Sequence, residues 1–177
     1  MNFADIFTLV KETQIKGKEL KPIYYTGIGS RKTPVGIQDL LINIGKYLAT
    51  ERFILRSGHA KGADQAFEKG CDLVKGGKEI FLPWNKFEDS DSKLLVRDRK
   101  AFEIAERFHP NWHNLSSGAR KLQARNSHQV LGCDLDTPSS FVICWTEGGK
   151  GKGGTGQSIR IAVHYNIPIL DIGRYFG

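Results

Sequence analysis

The stretch Ile23-Tyr24-Tyr25-Thr26-Gly27-Ile28-Gly29-Ser30-Arg31 decides the fold. Ile23 to Tyr25 form a short β-prone run that ends abruptly in a glycine-bearing turn. Directly downstream, Ile37, Leu40, Leu41, Ile44, Tyr47 and Leu48 recur at helical spacing and predict an amphipathic helix. A second strand, Phe53-Ile54-Leu55, stops at Ser57-Gly58. A helix from about Ala63 to Val74 then leads to a third strand, Glu79 to Leu82, stopped by Pro83. Alternating strands and helices, with glycine at the strand-to-helix turns, predict an α/β fold with a parallel sheet. Ligands of such sheets sit outside the carboxyl ends of the strands, where these turns lie.

Working outward, residues 2–20 read as a short amphipathic helix, with Phe3, Ile6, Phe7 and Val10 on one face, and a lysine-bearing connector. Residues 84–95 are polar and read as a loop. Arg97 to Phe108 reads as a charged helix, and Ser116 to Leu131 as another carrying Arg120, Lys121 and Arg125. Phe141 to Trp145 is a buried strand, followed by a glycine-rich loop from Glu147 to Gly156, a helix from about Gln157 to Tyr165 and a last strand, Ile167 to Leu170. The expected organisation is an N-terminal helix and connector over residues 1–22 and a single Rossmann-like domain over 23–177, with helices on both faces of the sheet.

Length and composition agree with one domain: 177 residues, 40% hydrophobic and 25% charged. Cys71, Cys133 and Cys144 form no paired framework and no CxxC spacing, which points to a reduced, cytoplasmic protein. No window approaches the roughly 18 apolar residues of a membrane span, so no membrane partner is expected. The formal net charge of +7, from 26 Lys and Arg against 19 Asp and Glu, favours a polyanionic partner. His109 and His113 have metal-like spacing, but Pro110 separates them and no carboxylate partner is evident. Neither a metal nor a resident cofactor is expected.

Three loops carry the chemistry. In Gly27-Ile28-Gly29-Ser30-Arg31 the glycines permit close backbone approach and Arg31 offers a bidentate phosphate contact, although Lys32 stands where a full GxGxxG needs its third glycine. In Ser57-Gly58-His59-Ala60-Lys61-Gly62-Ala63-Asp64, Ser57, Gly58 and Gly62 suit a tight turn. Asp64 either steadies the helix dipole or meets a sugar or base, and His59 reads as a solvated loop histidine. The third loop fails the Walker A pattern, because Lys152 precedes Gly153, yet the amides of Gly153 and Gly154 and the Thr155 hydroxyl suit phosphate. Arg125 and Asn126 lie on a basic helix from which they can reach phosphate, and Trp145 is the best stacking candidate.

From about Ile23 to Asp171 the chain resembles the SLOG superfamily, and within it the DNA-processing protein A (Smf/DprA) branch. Residues 57–64 are similar to that branch's Ser-Gly-x-Ala-x-Gly-x-Asp signature, Arg125-Asn126 to a following Arg-Asn motif, and Gly153-Gly154-Thr155 to its last loop. The resemblance implies a site for nucleotides or single-stranded DNA, and relatives commonly form homo-oligomers. Its members include single-stranded DNA binders, Lonely Guy-type nucleotide N-glycosidases and phage-defence proteins that capture nucleotide signals. The hydrolytic branch carries a glutamate where this chain has Ser158, and serine lacks the charge to steady an oxocarbenium-like transition state. The expectation is therefore binding of a nucleotide or nucleotide-derived small molecule without turnover, with single-stranded DNA binding as the alternative and N-glycosidase activity third.

Overall fold

The computed structural model describes Thr8 and residues 21–176; the helix and connector expected over residues 2–20 otherwise lie outside the described residues. Six strands form one sheet: β1 (Ile23–Gly29), β2 (Phe53–Ser57), β3 (Lys78–Leu82), β4 (Leu94–Leu95), β5 (Phe141–Trp145) and β6 (Ile169–Asp171). Their order is β4-β3-β2-β1-β5-β6, and every pairing is parallel. Five helices connect them: α1 (Val35–Thr50), α2 (Ala63–Leu73), α3 (Arg99–Phe108), α4 (Ser117–Leu131) and α5 (Gly153–His164). The chain is a single α/β domain of Rossmann-like architecture. No helix among the described residues is long and apolar enough to cross a membrane.

Side-chain alternation along β5 distributes the core. Phe141, Ile143 and Trp145 pack with Leu41 and Leu48 of α1 and Phe67 of α2. Val142 and Cys144 face the other way, towards Ala101 and Ala105 of α3, Val130 of α4 and Ile161 of α5. Every residue of β5 is buried, as a central parallel strand with helices on both faces requires.

Several element bounds differ from the sequence reading. β1 runs on to Gly29, because Gly27 pairs with Ile143 and Gly29 with Trp145 in the β5 ladder. A Cβ on Gly27 would stand 2.8 Å from Phe67 and Leu55, and one on Gly29 2.6 Å from Ala63. These glycines thus let α2 lie close on the strand. β4, hidden in the stretch expected to be a loop, pairs Leu94 and Leu95 with Phe81 and Leu82; two residues show no period. Helix α5 starts at Gly153, four residues before the expected Gln157, so poor helix formers make its first turn. Asn126 Nδ2 holds that turn by donating to the Gly154 carbonyl at 3.1 Å.

Gly27→Ala should cost about 1–3 kcal/mol by overpacking against Phe67 and Leu55. Urea denaturation measures it, and a loss under about 0.5 kcal/mol would contradict the close-packing role.

Candidate functional site

From β1 the chain builds outward through β2, β3 and β4 on one side of the sheet and resumes through β5 and β6 on the other. Strand order reverses between β1 and β5, which stay paired to their last residues, Gly29 and Trp145; the chain then leaves them for helices on opposite faces of the sheet, with a crevice beyond the strand ends. A cavity of about 370 Å³ opens there, within the usual range for a small-molecule site. Its walls are the end of β1 with the following turn, the start of α2, one face of α4 and the start of α5.

Most residues singled out in the sequence meet in this cavity. Gly29, Ser30, Arg31, Asp64, Arg125, Asn126, Gly153, Gly154 and Thr155 all line it. Gly27, Ser57, Gly58, Gly62 and Trp145 are not brought into its wall. Gly27 faces Phe67, and its carbonyl accepts from Ser57 Oγ at 2.6 Å. Gly58 makes room for Arg125, whose Nη1 donates to the Gly58 carbonyl at 2.5 Å; a Cβ there would lie 1.5 Å from that nitrogen. Gly62 precedes α2 at φ +85° and passes against the carbonyls of Ser30 and Arg31. Trp145 is 3% exposed, with Nε1 donating to the Phe176 carbonyl, so its ring offers no face for stacking.

Asp64 is the single carboxylate in the lining. Its Oδ1 accepts from the Gly29 amide at 3.0 Å and its Oδ2 from Gln129 Nε2 at 3.4 Å, while Arg125 Nη1 stands 3.9 Å away. Burial pushes the Asp64 carboxyl up; Arg125 and the amides of Gly29, Ala60 and Gly58 oppose that push. Burial pulls Arg125 down, Asp64 opposes it, and the charge of Arg31 adds to it. Both guanidinium groups lie over one ring, Phe87, at 5.6 Å for Arg125 and 6.0 Å for Arg31. Arg31, Lys32, Arg125 and Lys152 make the lining strongly cationic.

The start of α5 adds main-chain donors. Its N-cap, Lys152, contributes no side-chain hydrogen bond, so no capping oxygen occupies the first-turn amides. Those amides, with the helix dipole behind them, form an anion-binding surface along the wall.

The sequence reading missed Lys32, Gln123 and Gln129 as lining residues, and weighed Ser158 only as a missing glutamate. A signal existed in α4, where Leu122, Arg125, Asn126 and Gln129 share one helix face and line the cavity together. Ser158, one turn beyond Gly154, is fully buried and its Oγ has no hydrogen-bond partner. His59 is turned away and engages Glu68, which also pairs with Lys78. Among the described residues no three His, Cys, Asp or Glu side chains gather as a metal site would require. All three cysteines are free, with Cys71 and Cys144 buried and Cys133 exposed.

No family model matches the chain, and no curated protein matches it in sequence. Among solved structures the fold is similar to two of the molybdenum cofactor carrier protein of Chlamydomonas reinhardtii. One is 20% identical with a TM-score of 0.54, the other 18% identical with a TM-score of 0.52. Each likeness covers 84% of this chain and 74% of the carrier. At that identity the likeness establishes the parallel α/β fold alone.

Asp64→Ala should destabilise the domain by about 3–5 kcal/mol, because Arg125 keeps a buried charge with no counter-ion. Chemical denaturation measures this, and a cost below about 1 kcal/mol would contradict it. Ser158→Ala should leave stability unchanged or raise it by about 1 kcal/mol, since the hydroxyl it removes has no partner to lose. A clear fall in melting temperature would refute that accounting.

Proposed function

We propose that the protein binds a small nucleotide-type molecule through its phosphate at the β1/β5 crevice and retains it without turnover. The observation that carries this reading is the convergence of uncapped α5 amides and four cationic side chains on a cavity of small-molecule size. In this reading Gly153, Gly154 and Thr155 hold phosphate with Lys152, and Arg31 and Lys32 add positive charge from the β1 turn. Asn126 positions the α5 turn, and Asp64 fixes the end of β1. The domain is then a SLOG-type domain whose second loop shapes the site from behind.

Turnover by glycosidic cleavage calls for a carboxylate facing the sugar. The single lining carboxylate, Asp64, already accepts from Gly29 and Gln129, and Ser158 stands where the hydrolytic relatives have glutamate. Both features favour retention. Single-stranded DNA is the second reading, favoured by the net charge of +7.

Calorimetric titration with nucleoside phosphates, cyclic dinucleotides, a molybdenum cofactor and a single-stranded oligonucleotide separates these readings. One small molecule should bind per chain. Silence from every small molecule, with oligonucleotide affinity that falls steeply with salt, would replace this reading by the DNA one. A Cβ on Gly154 meets nothing within 4 Å, so Gly154→Ala should keep the free protein as stable or stabilise it by about 0.5–1 kcal/mol. The same methyl group obstructs approach to the α5 amides and should weaken ligand binding about tenfold.

A further inference from the structure

We infer that the ligand carries two linked phosphoryl groups, as a nucleoside diphosphate or a pyrophosphate-linked nucleotide does. This inference rests on the small-phosphate reading above and narrows its chemistry. Two anion stations, built from different elements, border the same cavity. The first is the start of α5, where the amides of Gly153, Gly154 and Thr155 stand beside Lys152 with no capping side chain. The second is the turn after β1, where Arg31 and Lys32 stand with Arg125 of α4 behind them.

The second station is short of negative charge. Arg31 and Arg125 lie over the same Phe87 ring and repel one another. The counter-ion of Arg125, Asp64, is 3.9 Å away and spends its oxygens on Gly29 and Gln129. Arg125 is 5% exposed, lines the cavity, and its Nε has no hydrogen-bond partner. A buried guanidinium with an unpaired donor beside a second guanidinium suits a multidentate oxyanion. A phosphate monoester brings a charge of about −1.5 to −2 at neutral pH. Placed at either station, it leaves the other uncompensated. Two phosphoryl groups joined by a bridging oxygen supply one to each.

Calorimetry of the full chain with nucleoside mono- and diphosphates of all the common bases, and with orthophosphate and pyrophosphate, tests this. The preferred base should bind as its diphosphate at least about tenfold more tightly than as its monophosphate. Pyrophosphate should displace it where equimolar orthophosphate does not. Arg31→Ala should collapse the diphosphate-to-monophosphate preference towards one. Equal affinity for the two forms, or an unchanged preference in Arg31→Ala, overturns the diphosphate inference and leaves the nucleotide reading standing. Silence from every mono- and diphosphate defeats the nucleotide reading itself.

Discussion

Asp64 sits beneath the end of β1, and its carboxylate ties three elements together. Its Oδ1 takes the Gly29 amide, its Oδ2 takes Gln129 of α4, and its own backbone begins α2. A carboxylate buried to 3% exposure is costly, and it is kept only because those donors and Arg125 compensate it. The same contacts fix where the β1 turn leaves the sheet and where the Arg125 guanidinium rests. The crevice beyond the carboxyl end of β1 is bordered by this joint. The cationic wall is arranged around a carboxylate that does not quench it.

The glycines divide their work along this joint. Gly27 and Gly29 thin the strand so that Phe67 and Ala63 of α2 can lie close, and Gly58 clears space for Arg125. Gly153 and Gly154 face open space, where absent side chains leave α5 amides uncovered at the cavity. Glycine therefore marks both a tightly packed interior and an accessible rim, and only position in the fold distinguishes them.

That distinction explains what could be read from the sequence. Strand–helix alternation from Ile23 to Leu82 was legible because short β-prone runs stop at glycine or proline and the first helix repeats its apolar residues at helical spacing, and the parallel sheet follows from that alternation. Arg31, Asp64, Arg125 and Gly153 to Thr155 were singled out from residue type and loop position, and the fold brings them to one cavity. Gly27, Gly58 and Trp145 lie outside the cavity wall; glycine or an aromatic beside a loop has the same local pattern whether it lines a cavity or supports it. Gln123 and Gln129 went unread because their place depends on how α4 crosses the sheet, and Lys32 because it was weighed only as the residue standing in for a third glycine. The two-residue β4 is specified by its neighbour, β3, alone.

The central claim is that main-chain donors at the start of α5 and the cationic side chains of the turn after β1 serve one anionic guest. Amide resonances of the isotopically labelled protein, followed while a nucleoside phosphate is added, test it most directly. The account predicts that Ser30, Arg31, Gly153, Gly154 and Thr155 shift together along one saturating curve. Shifts confined to one of the two segments, or mapped to the opposite edge of the sheet, would contradict it.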